Sequence, residues 1–140
     1  MSESPDIRLE VRRWCEKAEH DLRNAEYVLT LGKGCPTDTV CFHCQQCAEK
    51  YLKALLLFRS IGFPKTHDLV LLYNLATGQC RLNLPLSAVQ PLNRYSIEAR
   101  YPGDWEPIDL QEAAQAVEMA RLIRRAVRDV LSRDVLGEGE

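Results

Sequence analysis

No stretch of this chain is apolar for the roughly 18 residues that span a bilayer. The longest run, Ala54 to Phe58, is short and lies inside an amphipathic pattern. Met1-Ser2-Glu3-Ser4-Pro5-Asp6 has neither the basic segment nor the apolar core of an export signal, so a cytoplasmic location is expected. Charge of one sign is also lacking. Eighteen Lys and Arg stand against 20 Asp and Glu, for a formal net charge of -2 and a pI near 5.9. That balance argues against a protein that holds nucleic acid through an overall basic surface, while leaving room for a local patch. Strand-like alternation and internal repeats are missing, which excludes β-sheet and solenoid architectures. What remains is an ordinary globular composition, 46% hydrophobic and 27% charged, in 140 residues. One domain over residues 1–140 is expected, with a core of about 5–133 and a disordered tail at 134–140.

The apolar residues recur at helical steps. Ser4-Pro5 suits a helix start, with Ser as cap and Pro in the first turn. Ile7, Val11, Trp14, Ala18, Leu22, Ala25 and Leu29 then form one face of a long helix, which Gly32 and Gly34 end. A second helix is predicted from Thr37 or Asp38 to about Ile61, stopped by Gly62-Phe63-Pro64. A short third helix is predicted with Thr66 as cap and Asp68 in the first turn, ending near Leu75. A helical stretch from about Pro85 to Ala99 carries Pro91 inside it, so it either kinks or divides in two. Asp109 and Glu112 form a capping box for the last helix, with Ile108 and Ala113 as its hydrophobic staple. The expected fold is all-α, an up-and-down bundle of four to five helices.

Cysteine is not scarce. Cys41, Cys44 and Cys47 at three-residue steps, with His43 among them, resemble a metal-binding spacing. On a helix those thiols spread over about 120° of surface, at roughly 100° per residue, whereas metal clusters draw such ligands from loops. Free thiols packed in the core are therefore expected, with no metal and no cofactor. A metal or redox protein is the weaker alternative.

The predicted second helix also carries an unusual polar load. Phe42-His43-Cys44-Gln45-Gln46-Cys47-Ala48-Glu49-Lys50 lies among residues apolar on nearly every face, where polar groups must be satisfied by partners or kept for chemistry. His43, Gln46 and Lys50 share one face, continued by Lys53, while Gln45 and Glu49 share a neighbouring one. Two readings stand side by side: hydrogen bonds to facing helices or a dimer seam, and a polar pocket for a phosphate or a base. His67-Asp68 is a helix start that also offers an imidazole beside a carboxylate. Arg121, Arg124, Arg125 and Arg128 form a stripe on the last helix, read first as a solvated face and second as a track for RNA phosphates.

The run Phe42-His43-Cys44-Gln45-Gln46-Cys47-Ala48-Glu49-Lys50, followed by Thr66-His67-Asp68-Leu69 and by Arg100-Tyr101-Pro102, resembles the HEPN family of small helical bundles over about Trp14 to Arg125. Such a bundle is similar to the substrate-binding half of larger nucleotidyltransferases. The resemblance implies a homodimer that works around nucleotides and RNA. It also implies a minimal nucleotidyltransferase as partner, in a toxin–antitoxin-like pair. Ligand-binding residues expected on this basis are His43, Gln46, Lys50, Arg94, Arg100 and Tyr101. Many HEPN proteins are metal-independent ribonucleases marked by an Arg followed, after four to six residues, by a His. Here the positions after Arg94 are Ala99, Arg100 and Tyr101, and those after Arg100 are Trp105, Glu106 and Pro107. Neither arginine has its histidine, so a binding and regulatory module is expected rather than an enzyme. The alternative is a divergent ribonuclease using Arg100 with His43 or His67 as base.

Overall fold

A computed structural model of the protein describes residues 5–96, 107–131 and 133–136. Helix α1, Pro5–Leu29, buries Val11, Ala18, Leu22 and Ala25 along the predicted stripe, and Cys15 beside it. Its end follows the expected glycines: Gly32 and Gly34 both lie in the left-handed region, at φ 68° and 90°, where a side chain would be strained. Ser4, the expected cap, lies outside the described residues.

Helix α2, Thr37–Phe58, is the centre of the molecule. Cys41, Cys44, Cys47, Ala48, Tyr51, Leu52, Leu55 and Leu56 are all fully buried. Each buried leucine contributes about 1.5–3 kcal/mol of apolar burial. The helix stops three residues earlier than Ile61. Ser60 takes φ 59°, its N–H donates to Leu57 O at 3.1 Å, and the Ile61 N–H donates to Leu56 O at 2.9 Å. This is the paired-carbonyl closure usually built on glycine, here carried by serine.

Helix α3, Leu69–Thr77, corrects the predicted cap. Asp68, not Thr66, closes it, its Oδ1 accepting from Val70 N at 3.0 Å and Leu71 N at 3.2 Å. Thr66 Oγ1 instead accepts the Asp68 N–H at 3.0 Å, tightening the turn before the helix. The Leu69 N–H goes to Asn93 Oδ1 at 2.8 Å, so a later segment completes the cap. Around Pro91 the chain divides into two 3₁₀ turns, Leu86–Ala88 and Gln90–Tyr95, because proline has no N–H for an α-helical bond.

Helix α4, Leu110–Val130, starts at Asp109, whose side chain accepts the Glu112 N–H at 2.8 Å. Ile108 and Ala113 are buried as a staple requires. Glu112, predicted to complete the capping box, instead turns its carboxylate to Tyr95 and Arg94. A last helical turn, α5 Arg133–Leu136, follows where the sequence predicts a tail from 134, and Val135 is buried in it.

Contacts fix the directions of the long helices. Asp21 meets His43 and Lys50 while Trp14 meets Lys53, so α1 and α2 are antiparallel. Glu26 pairs with Arg121 and Glu19 with Arg124, so α1 and α4 are antiparallel too. The architecture is the expected all-α bundle, and no strand occurs among the described residues. No described helix is long and apolar enough to cross a membrane. On α2, Leu52 and Leu56 are fully buried within the single chain, while Phe42 and Leu57 are only partly exposed.

Candidate functional site

The polar load of α2 resolves into two carboxylates, each held by one imidazole and one ammonium. The first is Asp21 on α1. His43 Nδ1 donates to its Oδ1 at 2.9 Å, and Lys50 Nζ donates to its Oδ2 at 2.6 Å. Asp21 is 11% exposed, whereas His43 and Lys50 keep 28% and 25%. Burial alone would raise the Asp21 carboxyl, but the bonds from His43 and Lys50 outweigh it and hold the group below its usual range.

The second carboxylate is Glu49, on α2 itself. His67 Nδ1 lies 3.0 and 3.1 Å from its two oxygens, and Lys53 Nζ donates to Oε2 at 2.9 Å. Here the ammonium is the buried partner, with Lys53 at 9% and Glu49 at 7% exposure, while His67 is 48% exposed. Lys53 Nζ also lies 5.9 Å from the ring centres of both Trp14 and Phe63, within cation–π range.

Gln45 and Gln46 link the two clusters. Fully buried Gln45 donates to Glu49 Oε1 at 3.2 Å and to the His67 carbonyl at 3.1 Å, and its own oxygen accepts from Gln46 Nε2 at 2.8 Å. A buried amide with these partners is a satisfied one. The structure thus brings His43, Gln46 and Lys50 onto one ribbon, as the helical spacing predicts, and adds His67 through Glu49.

Arg94 stands elsewhere. Its guanidinium lies 3.3 Å from Glu112 and over the Tyr95 ring at 5.1 Å, beside a cavity of about 420 Å³. Tyr95 is buried, and its hydroxyl bonds Glu112. Arg100 and Tyr101 lie outside the described residues.

The α4 arginine stripe is not simply a solvated face. Arg124 Nε donates to Glu19 on α1 at 2.5 Å, Arg121 Nε donates to Glu26 at 2.8 Å, and Arg128 donates to the Tyr51 hydroxyl at 3.1 Å. The Tyr51 hydroxyl bonds Glu19 in turn. Burial would raise the Glu19 carboxyl, and Arg124 and Tyr51 pull it below its usual range instead.

The thiols are free and, apart from Cys80, buried. Burial pushes Cys15 up to about 11 and Cys41 up to about 12, and raises Cys44 and Cys47 as well. Thiols so raised are poor nucleophiles near neutrality. Among the described residues, no group of three or more His, Cys, Asp or Glu is placed to hold a metal ion.

Helical spacing places Glu49 beside Gln45 without naming its cations, and it does not single out Asp21 or the Glu112 partner of Arg94. A signal existed for Asp21. It stands three residues after Ala18 and four before Ala25, on the apolar face of α1, where a carboxylate requires a partner.

Residues 11–130 match the HEPN domain family. Among solved structures, that of TT1696 from Thermus thermophilus is similar at 30% identity and a TM-score of 0.68, covering 86% of this chain and 98% of that one. ST0689, an archaeal HEPN homologue, is similar at 26% identity and a TM-score of 0.62, covering 85% of this chain and 95% of that one. No curated protein matches the chain significantly.

Proposed function

The chain belongs to the HEPN domain family, and from that premise we propose that it is a nucleotide-binding regulatory module rather than a ribonuclease. Its partner would be a minimal nucleotidyltransferase in a toxin–antitoxin-like pair, with the HEPN chain as a homodimer in the cytoplasm. The observation that carries this reading is the Asp21 cluster. His43 and Lys50 are fixed by a nearly buried carboxylate yet keep about a quarter of their surface in solvent. An ammonium held in that way is a pre-organised donor for a phosphate oxygen, as is the protonated imidazole through Nε2, and Gln46 beside them offers an amide. Arg100 and Tyr101 would complete recognition from the later segment, whereas Arg94, held by Glu112 beside a separate cavity, would stand outside it. Ser96, which lines a concavity with His67 and Asp68, stands four residues before Arg100, a reach of at most about 14 Å.

A second reading, the metal-independent ribonuclease, is favoured by one feature. Each of His43 and His67 has its Nδ1 against a carboxylate, which fixes the tautomer and directs Nε2 away as a base. Against it stands the lack of a histidine four to six residues after Arg94 or Arg100. The test incubates purified protein with labelled RNA in chelator, and separately titrates ATP by calorimetry, for wild type and for Arg100→Ala, His43→Ala and His67→Ala. Binding of ATP without cleavage, weakened by His43→Ala and Arg100→Ala, is the expected result. RNA cleavage lost in Arg100→Ala and in one histidine variant would replace the module by the nuclease.

A further inference from the structure

Between α1 and α4 lie two adjoining concavities, of about 670 and 290 Å³, that share Glu19, Arg23 and Arg124. Among the described residues, seven arginines and three glutamates line the two together, a surplus of four positive charges on a chain whose net charge is -2. The surplus is local and one-sided. Arg124 and Arg128 are anchored by Glu19 and the Tyr51 hydroxyl, so the floor of the groove is rigid. Arg12, Arg13, Arg23 and Arg125, by contrast, have no ion pair among the described residues, although each has a long arm bordering the groove. Like charges gathered this closely repel one another, and an anionic ligand relieves that repulsion.

We infer that this groove is a second binding site, one that takes the sugar-phosphate backbone of single-stranded RNA. Its length favours a chain over a free anion: from Arg12 to Arg23 the helix rises about 17 Å, more than one phosphate occupies. Among the described residues the lining carries no Phe, Tyr or Trp ring on which a base would stack, so these residues hold backbone and read little sequence. It is distinct from the Asp21 cluster, because Asp21 faces α2 while Glu19, Arg23 and Glu26 face α4. The inference extends the nucleotide-associated reading from a small ligand to a polymer, and it stands or falls separately.

The test measures fluorescence anisotropy of a labelled oligouridylate against the full chain over a range of salt. Arg13→Glu/Arg23→Glu alters two exposed arginines that make no ion pair among the described residues, and should leave the fold intact, as circular dichroism would verify. Lys33→Glu/Arg81→Glu makes the same change of net charge at exposed positions outside the groove. Wild type should bind with a log–log salt slope of about -3, for four phosphates at about 0.7 each. The groove variant should bind about tenfold more weakly or worse, and with a shallower slope. The control should bind as wild type does, and ATP affinity should be unchanged in the groove variant. Equal loss in both double variants would show that net charge, not the groove, is responsible and would overturn the inference. So would absence of binding by the wild type at low salt, or complete displacement of the oligouridylate by inorganic phosphate.

Discussion

Asp21 and Glu49 are held by the same pair of groups, a histidine and a lysine, and yet the two clusters are opposite in burial. At Glu49 the lysine is the hidden member, 9% exposed and lying between Trp14 and Phe63, while His67 faces solvent. At Asp21 the lysine and histidine both remain about a quarter exposed. The difference teaches that composition does not decide the role of a polar cluster inside an apolar helix. Where the cation is desolvated, its partner becomes a condition of folding. Where cation and imidazole still meet water, they remain able to exchange that water for a ligand.

The largest expected effect breaks the buried member. Glu49→Ala leaves the Lys53 ammonium without its carboxylate among apolar neighbours, and should cost about 3–5 kcal/mol in urea unfolding. A loss under about 1 kcal/mol would mean that Lys53 reaches water and that the two clusters do not differ in the way described.

A smaller effect is expected at Asp21, and it depends on pH. The folded carboxyl lies below its usual range, so between the folded and unfolded values the unfolded chain binds more protons. The stability it contributes is fully present above the unfolded value, near 4, and is lost as pH falls through the folded one. Glu19, lowered by Arg124 and Tyr51 against the opposing effect of burial, contributes in the same direction. Asp21→Asn should therefore cost about 1–2 kcal/mol at neutral pH and flatten part of the acid-side decline. An unchanged slope between pH 5 and pH 2 in urea melts would contradict the assignment.

The smallest effect sharpens the contrast from the aromatic side. Phe63→Leu keeps apolar cover over Lys53 but removes one ring face, and should destabilise by about 0.5–2 kcal/mol without altering ligand binding.

Much of the fold is legible because one signal, the three- and four-residue recurrence of apolar positions, dominates α1 and α4. The turn at Pro91 and the staple at Ile108 and Ala113 are legible for equally local reasons. The cap of α3 is not, since Thr66 and Asp68 are both competent caps and the choice depends on Asn93, 25 residues after Asp68. Of the candidate site, the shared face of His43, Gln46 and Lys50 follows from helix geometry alone. Its partners do not, because which carboxylate meets which cation is fixed by how α1 crosses α2. The α4 stripe is legible in part: Arg121 and Arg125 are exposed, as a solvated face requires, but the pairing of Arg121 and Arg124 with carboxylates of α1 is something no pattern within α4 reveals.

The proposal turns on one lysine of α2 serving a ligand and another, three residues on, serving the fold. The direct measurement compares Lys50→Met with Lys53→Met, equal in charge removed and in chain length, by ATP titration and thermal melting side by side. Lys50→Met should weaken ATP binding by about tenfold or more, the loss of one charge-assisted hydrogen bond, with a fall in Tm smaller than that of Lys53→Met because His43 still holds Asp21. Lys53→Met should shift Tm and leave the ATP affinity as it was. The reverse pattern, with Lys50→Met altering only Tm and Lys53→Met altering only affinity, would contradict the account.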